Sequence, residues 1–271
     1  MPKHKLKKID PSSTGKFKRE DQAAGETEAM LKELYDQLYM MYADGKHSLL
    51  IILHGIDASG KDGTVSHIFR GANPQGIKVF SFKKPTEVEL RHDMFWRCHL
   101  HMPEAGSAAI FNRSYYEEVT TVRVHPEMIK AQHLPSKTAK SKHLFRDRMK
   151  QINEFEKIMC HNGTIVLKFF LHISKEEQKV RLAARIRDRR KNWKFSEGDV
   201  EERKYWKDYM HVFQEMIDHT SSKHAPWHVI PADNKWYRNY LVTKTLLERV
   251  RELKMDFPKI ETTKAMKELD A

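Results

Sequence analysis

The sequence predicts an α/β fold in which a parallel β-sheet is covered by helices on both faces. Apolar runs of strand length alternate along the chain with stretches of helical periodicity, and this alternation is typical of parallel sheets. One apolar run, Leu49–Leu53, leads directly into a glycine-rich stretch, Gly55–Gly63. A segment that can be helical, Thr64–Arg70, follows it.

This succession of strand, glycine loop and helix is the context that a phosphate-binding P-loop requires. The spacing Gly55-x-x-x-x-Gly60-Lys61 fits the Walker A pattern. Backbone N–H groups of such a loop and the first turn of the next helix attract anions, and Lys61 adds a point charge. The alternative is a chance glycine-rich turn. The residues that we expect to bind phosphate are Gly55, Ala58, Ser59, Gly60, Gly63 and Thr64.

Two acidic residues depart from the usual pattern. Asp62 stands where Ser or Thr normally helps to hold Mg²⁺, and Asp57 lies inside the loop. Carboxylates beside bound phosphates need a metal ion between them, and Mg²⁺ is usually bound through one or two carboxylates plus phosphates. The sequence therefore predicts Mg²⁺ at Asp57 and Asp62, with Mn²⁺ as an alternative ion.

The charge balance predicts a polyanionic partner. The 271 residues include 49 Lys and Arg against 37 Asp and Glu, a formal net charge of +12. Nucleotide, nucleic acid, inorganic polyphosphate and anionic lipid all fit this charge. No apolar run has the length of a bilayer span, and no apolar h-region follows the basic N-terminus. With Cys98 and Cys160 interpreted as reduced thiols, we expect a cytoplasmic protein without a membrane partner.

The chain divides into an arm, one domain and a tail. Residues 1–20 are predicted to be a mobile or surface-wrapping basic arm, residues 21–255 a single domain, and residues 256–271 a charged tail. Apolar periodicity predicts a helix over Asp21–Asp44 that ends at Gly45. Its tyrosine-rich stripe favours core packing or a subunit contact, and we expect a homo-oligomer, either a dimer or a tetramer.

The remaining elements follow from the same periodicities. Further strands are predicted at Ile77–Phe82, Ser107–Phe111, Thr164–His172 and Trp227–Pro231, with a short extended piece at Val119–Val124. Further helices are predicted at Glu87–His101, Lys142–His161 and Val200–His219, with a last one ending near Leu253. Thr86, Ser174 and Asp199 are the expected N-caps, and Ser174 has a capping-box pattern.

Polar residues follow the second and third predicted strands. Lys83 comes directly after the second, and Asn112, Arg113 and Glu117 come at the end of the third. In open α/β sheets, ligands bind at the carboxyl ends of the strands. We therefore expect these side chains to lie on the same rim as the P-loop.

A basic stretch follows the Ser174 cap. Arg181 and Arg185 are four residues apart, so they project from one face of the helix. They precede an aromatic turn around Trp193, which favours an anion-clamping lid over about residues 181–199. The alternative is a solvated, charged helix face. The basic residues are Lys179, Arg181, Arg185, Arg187, Arg189, Arg190, Lys191 and Lys194.

Several segments together resemble the polyphosphate kinase 2 family. The resemblance covers about residues 30–255 and implies a thymidylate-kinase-like P-loop fold. It also implies reversible phosphoryl transfer between inorganic polyphosphate and a nucleotide, with Mg²⁺. Asn112-Arg-Ser-Tyr-Tyr-Glu117 looks like the branch that accepts AMP, or both AMP and ADP; GMP and GDP stay open. The segments are Gly55–Gly63, Ser81–Thr86, Phe111–Glu117, Trp193–Ser196 and Pro231–Trp236.

The resemblance also suggests roles for single residues. Lys61 and the loop amides would hold the reacting phosphate, and Arg113 would neutralise the nucleotide phosphate. Arg181 and Arg185 would act from the lid as arginine fingers, whereas Lys83 and Lys194 would bind further phosphates. A metal contact by the neutral Asn112 is left open.

Two other functions compete with this interpretation. An ATP-dependent nucleotide kinase of the same fold would explain the P-loop and the lid, but not the excess positive charge or the two acids of the loop. A nucleic-acid-binding protein would explain the charge, with Trp193 and Phe195 stacking on bases. No zinc-finger, homeodomain or RNP pattern is present, so we do not expect nucleic acid as the partner.

Overall fold

Five parallel strands form one sheet in the order β2-β3-β1-β4-β5. The computed structural model describes residues 5–259 and Leu269. The first strand lies in the middle of the sheet, and its register pairs Leu53 with Asn112 of the neighbouring strand. The loops after these two strands are therefore neighbours. The strands are β1 (Ser48–His54), β2 (Ile77–Ser81), β3 (Ala108–Asn112), β4 (Thr164–His172) and β5 (Trp227–Pro231).

Helices cover both faces of this sheet, which confirms the predicted fold class. Along β1, Leu49, Ile51 and Leu53 belong to one buried cluster, and Leu50 and Ile52 belong to another. The first cluster packs under α1 and α11, the second under α7 and α10. The helices are α1 (Asp21–Asp44), α2 (Lys61–Ile68), α3 (Glu87–Leu90), α4 (Trp96–His99), α5 (Thr121–Val124), α6 (Ser136–Ala139), α7 (Leu144–His161), α8 (Lys175–Arg187), α9 (Glu197–Glu202), α10 (Trp206–Thr220) and α11 (Lys235–Arg251).

Two predicted elements between β2 and α7 are wrong. The single helix predicted over Glu87–His101 is two short helices, and between them the Asp93 carboxylate accepts the N–H of Phe95 just before the second one begins. The extended piece predicted at Val119–Val124 is helical. The capping box at Thr86 is present, with both of its hydrogen bonds.

The cap predicted at Asp199 is also wrong. Ser196 is the N-cap of α9, since its side chain accepts the N–H of Gly198 at 3.2 Å. A 3₁₀ turn at Arg203–Tyr205 then separates α9 from α10, so the predicted helix Val200–His219 is divided. At Ser174 the cap itself is present, but the Glu177 carboxylate of the expected capping box pairs with Arg181 instead.

The described part of the N-terminal arm lies along the domain. The Leu6 side chain is buried, and its backbone N–H donates to Gln214 Oε1 at 2.8 Å. Phe17 packs edge-on against Tyr240 with ring centroids 5.0 Å apart. Most of the predicted C-terminal tail lies outside the described residues. Within the described part, no helix combines the length and the apolar composition of a membrane crossing.

A buried polar network fixes the segment that follows β3. The Lys168 ammonium, fully buried in β4, donates to Glu156 Oε2 at 2.6 Å and to the Tyr116 hydroxyl at 2.7 Å. The hydroxyls of Tyr115 and Tyr116 both donate to Glu156 Oε1. Buried charges are stable only when paired and hydrogen-bonded, and these are. The network therefore holds the backbone next to Arg113 and Glu117 in one position.

Candidate active site

The loop between β1 and α2 has the conformation of a phosphate cradle. Gly55 and Gly60 have φ angles of 141° and 106°, and Ala58 has φ 63°. A Cβ on Gly55 would lie 2.8 Å from the carbonyl oxygen of Leu171, and one on Gly60 would lie 2.0 Å from Arg238 Nη1. Only glycine fits at these two positions. The loop thus ends at the positive end of α2, where anions are favoured.

Lys61 lies inside this loop. Its side chain is buried, and its ammonium donates to the carbonyl oxygens of Gly55 at 2.7 Å and Ile56 at 3.2 Å. Burial, reinforced by the charge of Arg113, lowers the pKa of Lys61 to about 8. Thr64 donates its hydroxyl to the carbonyl oxygen of Gly60 and so closes the first turn of α2. The Ser59 hydroxyl is buried without a hydrogen-bond partner in the described part of the chain.

Each of the two loop acids is paired with a cation. Arg113 Nη2 donates to Asp57 Oδ1, and Lys194 Nζ donates to Asp62 Oδ2 at 2.9 Å. Burial would raise the pKa of both carboxyls, but the neighbouring cations outweigh it and hold each pKa below its ordinary value. Both groups are therefore carboxylates at neutral pH, as ligands of a divalent metal must be.

Asn112 contacts one of these acids. Its side chain is buried at the end of β3, and its amide Nδ2 donates to Asp62 Oδ1 at 2.6 Å. A carboxylate at position 112 would place two negative charges against each other. The neutral amide instead holds Asp62 in place.

Arg113 and Glu117 follow on the same rim. Arg113 has φ 67°, a conformation that is uncommon for a residue other than glycine and is concentrated at functional sites. Glu117 Oε2 accepts the Thr121 hydroxyl at 2.5 Å, and Oε1 lies 3.7 Å from His54 Nδ1. Burial would raise the pKa of Glu117, but the charges of Arg113 and Lys61 and the hydrogen bond from Thr121 lower it. Burial lowers the pKa of His54 to about 4, so its imidazole is neutral at pH 7.

The two lid arginines occupy different environments. Arg181 donates to the carbonyl oxygens of Ala58, Ser59, Ala232 and Asp233 at 2.6–3.1 Å, and its Nε donates to Glu177. These contacts join the P-loop to the segment after β5 and use all three nitrogen atoms of the guanidinium group. Within the described part of the chain, the Arg185 side chain has one hydrogen-bond partner, Asp199 Oδ2 at 2.7 Å. Its charge contributes to lowering the pKa of Asp57. Arg185 therefore faces the site, whereas Arg181 ties the loop to α8.

The structure brings most of the predicted residues into contact with one another. Lys83 follows β2 next to the end of β3. Its side chain is exposed, and its ammonium makes no hydrogen bond or ion pair among residues 5–259. Lys194, near the tip of the lid, reaches across to the first turn of α2.

Three further residues belong to the site and were not predicted. Gln178 donates its amide to the Asp57 carbonyl at 3.0 Å. Arg238 is buried against Gly60, and burial together with the charge of Arg181 lowers its pKa to about 10. Asp199 lies close enough to Asp57 that burial and this neighbouring charge raise its pKa. Of these three, only Asp199 could have been suspected from the sequence, because it closely follows Trp193–Ser196, one of the segments that resemble the family.

The donor set fits a hard divalent cation that also binds phosphate. No cluster of three or more His, Cys, Asp or Glu side chains occurs in the described part of the chain. A site made by protein alone is thus not indicated, while Mg²⁺ commonly uses one or two carboxylates and takes its other ligands from phosphate and water. Asp57 and Asp62 supply those two carboxylates.

Known proteins resemble this chain in sequence. The family model described as Polyphosphate kinase 2 (PPK2) matches residues 17–258. An ADP-polyphosphate phosphotransferase of Rhodopseudomonas palustris is 44% identical over 235 residues, 87% of this chain and 81% of that protein. An AMP/ADP-polyphosphate phosphotransferase of Meiothermus ruber is 43% identical over 258 residues, 95% of this chain and 92% of that protein.

A solved structure agrees with the sequence relatives. The crystal structure of polyphosphate kinase 2 from Arthrobacter aurescens TC1 superimposes with a TM-score of 0.89 at 36% identity, covering 98% of this chain and 92% of that one. Fold and sequence agree over nearly the whole chain, so this protein is a member of the polyphosphate kinase 2 family.

Proposed function

We propose that the protein transfers the terminal phosphoryl group of inorganic polyphosphate to AMP or ADP, in a reversible, Mg²⁺-dependent reaction. The observation that carries this proposal is the composition of the rim. Lys61, Arg113, Arg185 and Lys194 surround Asp57 and Asp62. Such a set of cations suits a reaction in which donor and acceptor are both phosphates.

The nucleotide preference rests on the relatives. The Meiothermus ruber relative is named for both AMP and ADP, and the Rhodopseudomonas palustris relative for ADP. Asn112, bound to Asp62, belongs to the sequence pattern that suggested the same branch. Adenine nucleotides are therefore proposed as the main acceptors, with GMP and GDP as acceptors to be tested. A cytoplasmic location and a homo-oligomeric state remain predictions from the sequence.

The residues act mainly by positioning and charge, because phosphoryl transfer needs little covalent help from protein. An acceptor phosphate oxygen is already ionised, so no general base is required. His54 is buried and neutral and is not needed as one. Lys61 exchanges its carbonyl partners for a phosphate of the chain, Arg113 neutralises the acceptor phosphate, and Arg185 adds charge from the lid.

Asp57 and Asp62 would hold the metal. Mg²⁺, or Mn²⁺ in its place, would supply neutralising charge and orient the phosphate oxygens. Arg113 and Lys194, which now pair with these carboxylates, are thereby free to contact substrate. Each of these two cations can therefore exchange its carboxylate partner for a phosphate of the substrate.

The proposal is tested by a matrix of donors and acceptors. AMP, ADP, GMP and GDP are each mixed with polyphosphate or with ATP as the donor, in the presence of Mg²⁺, and products are separated by chromatography. We expect ADP and ATP to form from AMP and polyphosphate. Product with ATP alone as donor would establish the nucleotide kinase instead.

The metal role of Asp57 is tested by Asp57→Asn, which removes the charge and keeps the shape. We expect ATP formation from ADP and polyphosphate to fall at least ~10²-fold and the Mg²⁺ concentration for half-maximal rate to rise. Calorimetry should also show weaker Mg²⁺ binding to the free enzyme. Asp36→Asn, at an exposed position on α1, is the control. A near-wild-type rate for Asp57→Asn would exclude the role.

A further inference from the structure

A large cavity lies outside the site described above. It has a volume of about 1090 Å³, is open to solvent on one side, and is lined by the N-terminal segment, the start of α8 and one face of α10. None of the P-loop, rim or lid residues discussed above lines it. Its size is slightly above the usual range for pockets that hold cofactors and other small molecules.

Lysines dominate the charge around this cavity. None of the five lysines lies within 4.0 Å of a carboxylate in the described part of the chain. Among the lining residues, the acidic ones are Glu176 and Asp218. One lysine is the first residue of α8, whose 13 residues present a positive end here. This charge fits an anion. The lysines are Lys5, Lys7, Lys8, Lys175 and Lys207.

A buried imidazole joins the N-terminal segment to the sheet at this cavity. His172 lines the cavity at the end of β4 and is 7% exposed. Its ring is hydrogen-bonded to the backbone of Ile9 and Leu6 in the N-terminal segment. Burial lowers the pKa of His172, so the ring is neutral.

Between the lysines, the wall of the cavity is apolar, which favours anions that also carry an apolar group. Leu6, Ile173, Trp206 and Met210 line it between the lysines. Inorganic polyphosphate has no apolar part to place against these side chains. A nucleotide has a flat base that can stack on an indole ring and a phosphate group for the lysines. A nucleotide can therefore contact both the lysines and the apolar wall.

We propose that this cavity is a second nucleotide-binding site, which takes a purine nucleoside diphosphate or triphosphate. The base lies against Trp206 and Met210, and the phosphates lie among the lysines at the start of α8. The site joins the N-terminal segment to the helix that carries Arg181 and Arg185. It is distinct from the acceptor site at Arg113 and does not depend on the proposed reaction.

The test counts bound nucleotides. Labelled ADP, without polyphosphate, is measured by equilibrium dialysis against four proteins. The first is wild type, and the second is the acceptor-site variant Arg113→Ala. The third is Lys5→Ala/Lys7→Ala/Lys8→Ala/Lys175→Ala. The fourth is a control with the same charge change at exposed lysines elsewhere, Lys32→Ala/Lys140→Ala/Lys142→Ala/Lys157→Ala.

We expect two ADP per wild-type or control chain, and one per chain in each of the other two variants. The ADP that the third variant still binds should be the one at the acceptor site. Adding Arg113→Ala to that variant should therefore abolish ADP binding. Equal stoichiometry in the third variant and wild type would overturn the proposal. So would loss of inorganic polyphosphate binding with ADP binding unchanged.

A second measurement locates the bound nucleotide directly. Photolabelling with 8-azido-ADP should modify a peptide that contains Trp206 in wild type and in Arg113→Ala, and the labelling should fall at least tenfold in the four-lysine variant. Labelling confined to peptides of the P-loop and rim would place all of the nucleotide in the catalytic site and contradict the proposal.

Discussion

Arg181 and Arg185 lie one turn apart on α8 and serve two different regions of the molecule. Arg181 belongs to the floor of the site, by which we mean the backbone carbonyls of the P-loop and of the segment after β5 that accept its hydrogen bonds, together with Glu177. Arg185 belongs to the lid, where one exchangeable ion pair with Asp199 holds it near Asp57. The hydrogen bonds of the floor are therefore complete without substrate, whereas Arg185 of the lid can exchange its ion pair for a substrate phosphate.

This difference separates stability from catalysis. A group of the floor is expected to change the free energy of unfolding when it is lost, and activity as a result. A group of the lid is expected to change activity and leave unfolding unaffected. Three substitutions or conditions test this separation.

The largest effect is expected for Arg181→Gln. Its removal leaves the carbonyls of Ala58, Ser59, Ala232 and Asp233 without donors and the Glu177 carboxylate without its cation. We expect a loss of about 3–5 kcal/mol and a Tm lower by roughly 10 °C, with activity largely lost. Arg181→Lys should restore little, since an ammonium cannot reproduce the planar fork. Differential scanning calorimetry and the ATP-formation assay measure the two quantities.

Arg187→Gln, at an exposed position of the same helix, is the matched control and should change neither quantity. If Arg181→Gln lost activity by orders of magnitude with its Tm unchanged, Arg181 would return to the role of a lid arginine.

The second effect comes from pH and concerns His54, another buried group, at the end of β1. The pKa of His54 is about 4 in the folded protein, against 6.5 for an ordinary histidine, because of burial. Above pH 6.5 the imidazole is neutral in both states and its contribution is complete. As the pH falls from 6.5 towards 4, the unfolded state takes up the proton first. Stability should decrease by an amount on the order of 3 kcal/mol.

Denaturant titrations at pH 7, 6, 5 and 4 would measure this loss. His54→Gln should give a flatter dependence over that range, while the exposed control His161→Gln should follow wild type. Parallel curves for wild type and His54→Gln would show that His54 does not cause the loss.

The third effect concerns the lid. Arg185→Gln removes one charge from the site and leaves the floor intact. We expect kcat/KM with polyphosphate to fall by about 10²-fold, equivalent to about 2.7 kcal/mol, with Tm within about 2 °C of wild type. Arg187→Gln is again the control. A fall in Tm that accounts for the lost activity would assign Arg185 to the floor and remove the distinction between the two arginines.

The features that were predicted correctly from the sequence are those that a local pattern of residues determines. The strands Thr164–His172 and Trp227–Pro231 are confirmed with the same bounds, and so is the helix Asp21–Asp44. Continuous apolar runs and a terminal glycine are strong local signals. The P-loop was recognised for the same reason, since glycine positions and flanking elements are adjacent in the chain.

The sequence could not predict contacts between distant segments. The position of Arg181 depends on carbonyls from two distant segments. Ala58 and Ser59 belong to the P-loop, and Ala232 and Asp233 follow β5. Helical spacing puts Arg181 and Arg185 on one face but does not say what that face meets. Arg238 had no signal at all, because a lone arginine in an amphipathic helix is usually interpreted as exposed.

Local competition explains the misplaced elements. Between β2 and β3 the Asp93 side chain captures a backbone N–H and interrupts a helix that periodicity alone would continue. At Thr120 the hydroxyl donates to the carbonyl of Tyr116 within a helical turn, despite the β-branched residues that suggested a strand. Local side-chain hydrogen bonds accompany both differences from the prediction.

The packing of α1 on α11 has a consequence for how the protein is made. Leu31, Leu34 and Leu38 of α1 are buried in the same cluster as Leu246, Leu247 and Val250 of α11. During synthesis the first helix emerges long before the last, so its apolar side is exposed while most of the chain is translated. Completion of the core on this face must wait for the end of synthesis, which makes the nascent chain a natural client for chaperones.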